Sequence, residues 1–200
     1  MHQDRTTGAS HSAGCLFCRR HDGGFASREH IFSEAYGNQD KILKRGVVCD
    51  RCNNGPLSRA DHALSEFPPI KLLRAERGIP TKAGKAVEAV FGNGRVAFEA
   101  PGLMSVTPNH QRLLRHMPRV ENDRLDPAGG RLSLTAPRSS TNTVRNMARA
   151  IWKSALELIY LDHGPEVAYG TKFDPLRDAV ITASRTNGFL LIPKESQTLQ

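Results

Sequence analysis

No run of eighteen apolar residues occurs anywhere in the 200-residue chain, so the sequence offers no membrane span. It also lacks internal repeats and low-complexity tracts, which sets aside repeat architectures. The opening residues, Met1 to Gly14, are polar and lack the apolar stretch of a signal peptide; residues 1–13 read as a flexible tail, with a cytoplasmic location as the default. Cysteine is scarce: Cys15, Cys18, Cys49 and Cys52 are the whole supply.

What is present is ordinary for a globular protein. Apolar residues make up 38% and charged residues 24%, too apolar for wholesale disorder, and the length suffices for a real core. The formal net charge is +8. That surplus favours a polyanionic partner, nucleic acid first, although it weighs little without a site that needs phosphate.

The cysteines form two Cys-x-x-Cys pairs with thirty residues between them. In a reducing compartment four thiols so arranged read as ligands of one tetrahedral Zn²⁺. Two disulfides, or one redox-active pair beside a bystander pair, are the alternatives.

Around these pairs the chain reads as strand, strand, helix. An extended segment spans Arg28 to Phe32, and the β-branched Gly46-Val47-Val48 reads as a second strand feeding Cys49. Gly55-Pro56 looks like a helix start, with Leu57, Ala60, Ala63, Leu64 and Phe67 at helical spacing until Pro68-Pro69. A short helix from Ile70 to Arg77 ends at Gly78. Strands over 86–91 and 95–99 flank Gly92-Asn93-Gly94 as a hairpin, and Leu132-Ser133-Leu134 reads as a further strand. A helix over Thr143 to Asp162, capped by Thr141 or Asn142, carries an apolar face of Val144, Ala148, Ile151, Ala155, Leu158 and Ile159. Its Arg145, Arg149 and Lys153 form a basic stripe, read as a solvated face, with phosphate contact as the sharper alternative. A short helix from Phe173 and a strand at Gly188 to Ile192 follow. The fold class expected is α+β: a tail over 1–13, a zinc-stapled module over 14–78, and a C-terminal α+β region over 79–200 that docks the substrate.

Chemistry concentrates at Ser27-Arg28-Glu29-His30-Ile31-Phe32 and Asn53-Asn54. Imidazole titrates near working pH and can take a proton from water. A hard divalent cation, which offsets charge on a phosphate, prefers oxygen from a carboxylate or an amide. Glu29, His30 and Asn53 supply those types, and a four-thiolate zinc would clamp their two segments together.

In combination, Cys-x-x-Cys, Glu29-His30-Ile31, Gly37-Asn38 and Val48-Cys-x-x-Cys-Asn53-Asn54 resemble the zinc-knuckle branch of the HNH endonucleases over Cys15 to Phe67. The resemblance implies a ββα-metal fold holding structural Zn²⁺ at the four cysteines, and hydrolysis of DNA (RNA left open) with catalytic Mg²⁺ or Mn²⁺. It makes His30 the general base and Glu29 and Asn53 the ligands of the catalytic ion, with Asn54 and His62 in reserve. Arg28, Lys44, Arg45 and Arg51 are the candidate phosphate contacts. The sequence departs from the family pattern at Phe32-Ser33, where Pro is usual, and at Lys44, where the middle Asn falls. Asn38 would replace that Asn only through a rearranged loop, and Gly55-Pro56 is an unusual helix start. A catalytically inactive nucleic-acid-binding module of the same fold is the alternative, and a small protein-interaction domain the third reading. Asp61 and His62 are read as a salt-bridged or surface pair, His21 as a solvated loop residue or phosphate contact, and His110, His116 and His163 as structural or surface residues.

Overall fold

The computed structural model describes residues 13–81, 83–92, 94–100, 103–108 and 137–182. Its elements, in chain order, are β1 (Glu29–His30), β2 (Ile42–Leu43), α1 (Asp50–Cys52), a π-turn (Asn53–Leu57), α2 (Ser58–Ser65), α3 (Pro68–Glu76), β3 (Ala89–Phe91), β4 (Gly94–Ala100), β5 (Leu103–Pro108), α4 (Thr141–Ala168) and α5 (Asp174–Thr182). The fold is α+β, with an N-terminal ββα arrangement, β-hairpin sheets and C-terminal helices.

The chain divides into two units. The first joins the segment ending at Ser65 to the segment from Ser139 onward. Its core holds Leu16, Phe17, Ile31, Leu43, Val47, Val48 and Leu57 from the N-terminal part, and Leu156 and Val180 from α4 and α5. β1 and β2 pair antiparallel, Glu29 opposite Leu43 and His30 opposite Ile42. The strand expected at Gly46-Val47-Val48 is instead a turn, entered through Gly46 at φ +94°. Val47 and Val48 are buried there, so core packing rather than sheet pairing accounts for their branched side chains.

The helix after the second cysteine pair also differs from expectation. It begins at Asp50, with Cys49 at its N-cap, and runs through Pro56 rather than starting there. Proline lacks the N–H that an α-helix interior needs, and the π-turn accommodates the gap: Ser58 N–H reaches back to Asn53 O.

α4 begins after Ser140, whose hydroxyl accepts from the Thr143 N–H, and it breaks at Gly164 (φ 80°, ψ 176°) ahead of Pro165. Its buried face is only in part the one expected: Leu158 and Ile159, with Trp152 beside them, pack against the core. Arg149, Ala150, Lys153, Leu156 and Glu157 point inward, whereas Ile151 is 58% exposed. At Arg149 and Lys153 the basic stripe is therefore no solvated face, while Arg145 is half-buried. The Arg149 guanidinium donates to Val180 O (2.6 Å) at the C-terminal end of α5, where unpaired helix carbonyls need donors. Arg177 of α5 donates to Leu16 O (2.8 Å) and to Ala168 O, and Tyr169 Oη to Gly14 O (2.7 Å), tying the C-terminal helices to the first cysteine pair.

The second unit comprises the described residues between Glu66 and Arg138. β3, β4 and β5 form an antiparallel sheet, with Phe91 opposite Gly94 across the tight turn of the expected hairpin. β5 was not apparent from sequence. Ala89, Phe91 and Val96 are the buried centre, and Leu72 of α3, Phe98, Met104 and Val106 close over it. The strands expected at Leu132-Ser133-Leu134 and Gly188 to Ile192, the tail over 1–12, His110 and His116 lie outside the described residues.

Candidate metal centre and the strand beside it

Cys15, Cys18, Cys49 and Cys52 are all unbridged, and their sulfurs lie within 4.8 Å of one another. A tetrahedron with Zn–S bonds of about 2.3 Å spaces its sulfurs about 3.8 Å apart. Cys18 Sγ and Cys49 Sγ are 3.7 Å apart, and the Cys49 N–H donates to Cys15 Sγ at 3.4 Å. The hydrogen bond from Cys52 draws the Cys15 thiol down to about 5, while burial pushes Cys49 up to about 11. Four sulfurs this close cannot all ionise without a cation among them. The donor set, its spacing and its burial fit a structural Zn²⁺.

The neighbouring loop shows why glycine stands at two positions. A Cβ at Gly23 would meet Cys49 Cβ and Sγ at 2.7 Å. One at Gly24 (φ +70°) would meet Asp50 Oδ2 at 2.7 Å. The freed space lets Gly23 and Gly24 carbonyls accept from Arg51 and Asp50 N–H groups. The Asp50 carboxylate in turn accepts from the N–H groups of Ala26 (3.1 Å) and Ser27 (2.8 Å), and the Ser27 hydroxyl holds its pKa below the ordinary carboxylate value. Asp50 thus leads the chain from the first cysteine pair into β1.

β1 presents the residues that the sequence singled out. Neighbours on a strand face opposite sides. Glu29 points inward at 4% exposure, and the His30 side chain is 25% exposed with Nε2 3.1 Å from Glu34 Oε1. Asn53, on the π-turn, donates through Nδ2 to Arg28 O (3.0 Å) and Ser27 Oγ (3.2 Å). Asn53 is therefore brought to the strand, beside the residue that precedes Glu29. Arg28, Lys44, Arg45 and Arg51 are exposed, as are Asn54 and His62. Arg51 lies 3.8 Å from Asp22. Asn38 closes the loop between β1 and β2: its amide donates to Phe32 O (2.7 Å) and Lys41 O (3.0 Å), and its oxygen accepts from Lys41 N–H (2.9 Å).

Under β1 lies a charge cluster that sequence reading missed. Lys153 of α4 is fully buried, and its Nζ is 2.6 Å from Glu29 Oε1, 2.9 Å from Asp61 Oδ2, 3.7 Å from Glu157 Oε2 and 2.7 Å from His30 O. Burial pulls the Lys153 pKa down, but Glu157, Glu29 and Asp61 together outweigh it and raise the value. Desolvation likewise raises the pKa of Glu29, Asp61 and Glu157, against the pull of the ammonium. Asp61, read with His62 as a salt-bridged or surface pair, is salt-bridged, but to Lys153 of the distant α4. Only the 153/157 spacing of Lys and Glu on one helix hinted at the cluster, and that pattern is common on solvated faces.

A divalent ion can be tested against the same atoms. Among the described residues Glu29 Oε2 is buried without a hydrogen-bond partner, the kind of orphaned oxygen a cation satisfies. The amide nitrogen of Asn53 is committed to Ser27 and Arg28, leaving its oxygen as the end that can face an ion. Glu29 and Asn53 fit a hard cation by donor type, with Lys153 already sharing the Glu29 carboxylate.

No helix among the described residues is long and apolar enough to cross a membrane. No curated protein and no solved structure matches the chain. Residues 15–67 match the family model described as HNH endonuclease, the same stretch that holds the four sulfurs and the ββα elements. That stretch of the chain is thus similar to the HNH endonucleases and carries four cysteines placed to hold a metal ion.

Proposed function

We propose that the protein is a metal-dependent endonuclease that hydrolyses DNA phosphodiester bonds, with His30 as the general base. The observation that carries this reading is the His30 imidazole: partly open to solvent, on β1 of an HNH-like module, and held at Nε2 by Glu34 3.1 Å away. With Nε2 donating to Glu34, Nδ1 keeps a lone pair for the proton of an attacking water. Glu29 and Asn53 would hold a Mg²⁺ or Mn²⁺ ion, which when bound supplies positive charge to offset that developing on the phosphate. Asn54 and His62, both exposed, are the reserve ligands. Arg28, Lys44, Arg45 and Arg51 are exposed on the same module and supply charge for the phosphate backbone. In this reading residues 14–78 cut and residues 79–200 include the surface that docks the substrate.

One observation favours a second reading, a zinc-stapled module that binds nucleic acid without cutting it. The Glu29 carboxylate is buried and already bound to an ammonium. A supercoiled-plasmid assay with Mg²⁺ and with Mn²⁺ decides between them. Wild type should nick, and His30→Ala should slow nicking by about 10²-fold or more, the usual contribution of a positioned base. Equal nicking by both removes His30 from the mechanism. Binding at low salt without nicking by wild type selects the second reading.

A further inference from the structure

We propose that Lys153 and Ser154, neighbours on α4, are positioning residues that fix the strand carrying His30. The two side chains donate to successive main-chain carbonyls. Lys153 Nζ reaches His30 O at 2.7 Å, and Ser154 Oγ reaches Ile31 O at 2.6 Å. Lys153 also grips Glu29 at 2.6 Å and Asp61 of α2 at 2.9 Å. One ammonium therefore joins β1, α2 and α4.

β1 needs such a clamp. It is two residues long and, among the described residues, pairs only with the equally short β2. A ladder so short fixes its residues weakly, whereas a base must stay within a fraction of an ångström of its working position. Both clamp residues are more than 120 positions downstream of His30, outside the stretch that matches the HNH family. The HNH-like module is thus completed by a helix from the far end of the chain. Lys153 is fully buried, so it acts on His30 and not on a substrate.

The inference rests on His30 being the base, and the test separates the two. Ser154→Ala removes one arm of the clamp without disturbing the buried charges; Lys153→Met removes the other arm. With zinc content, KM and low-salt DNA affinity unchanged, Ser154→Ala should lower kcat by several-fold to about tenfold. Ser154→Thr, which keeps the hydroxyl, should restore it. The His30 imidazole NMR signals should shift in Ser154→Ala and remain in place in Glu157→Gln, a control that leaves the His30 carbonyl bond intact. A folded, zinc-loaded Ser154→Ala with kcat within about twofold of wild type and unmoved His30 signals overturns the proposal. If Lys153→Met does not fold, the Ser154 variants decide alone. If wild type does not cut at all, the nuclease reading fails, and the NMR signals still report whether the clamp holds His30.

Discussion

Removing one thiol from the cysteine cluster leaves three sulfurs and would leave a bound ion without its closed shell. Cys49 is the most consequential choice, because it is fully buried, caps α1 and packs against Gly23. Zinc-binding free energy in such sites is folding free energy, about 10–16 kcal/mol in zinc-finger peptides, which is as large as the whole stability of a typical domain, about 5–15 kcal/mol. Purified wild type should contain one zinc per chain by elemental analysis. Cys49→Ser should be lost from the soluble fraction or lack the native circular dichroism spectrum. A Cys49→Ser protein that is folded and metal-free contradicts the zinc assignment. At this scale the sequence was easy to read, because ligand spacing is a local property of the chain. Asn38 shows where that ends: its identity is plain, but its task of closing the β1–β2 loop depends on three backbone groups that only the fold brings together.

α4 illustrates how a helix can satisfy a pattern and still be misread. Its apolar residues recur at helical spacing, yet the inward face carries Arg149, Lys153 and Glu157. Charge is normally kept on the wet side because an unpaired buried ion costs several kcal/mol. Here the partners are main-chain carbonyls of α5 and carboxylates of β1 and α2, none of them visible from the α4 sequence. The same limit explains Val47-Val48, where branched residues signal burial and not strand geometry. Glu157 gives the element a measurable pH signature. Desolvation raises its folded pKa well above the unfolded value, so it is protonated in the fold at pH values where the unfolded chain has released the proton. The folded state then binds more protons, and its stability falls as pH rises from the unfolded pKa toward the folded one. Glu157→Gln keeps the shape and removes the titration. Denaturant unfolding should show a flatter decline for this variant above pH 4.5, with stability at neutral pH equal to or above wild type. A steeper decline would mean the carboxyl is ionised in the fold.

For the first unit as a whole, the family match ends well before its core does. Leu156 and Val180 fill the same cluster as Leu16, Ile31 and Leu57, and Arg177 holds the Leu16 carbonyl. A fragment of residues 1–78 would expose these apolar side chains and leave Glu29 and Asp61 without their ammonium. Uncovering a few large side chains costs about 1.5–3 kcal/mol each, and stranding buried charge costs about 3–5 more. The fragment supplied with zinc should therefore show no cooperative thermal transition, while a chain that retains α4 and α5 should. A fragment that melts as sharply as the full chain would mean the module stands by itself.

The π-turn has a bearing on which changes of length this protein can tolerate. Its extra residue advances the helix by about 100°, since an α-helix turns once in 3.6 residues. Upstream of it, Cys52 is oriented toward the other three cysteines and Asn53 toward β1; downstream, Leu57, Ala60 and Asp61 are oriented toward the core and Lys153. Two sets of duties that a uniform helix would place out of phase are thus reconciled within five residues. Trimming Gly55 would shorten the chain by a single, seemingly dispensable residue and yet swing Asp61 a quarter-turn from its ammonium, so related chains should vary in length at the loops and hold this helix at constant length.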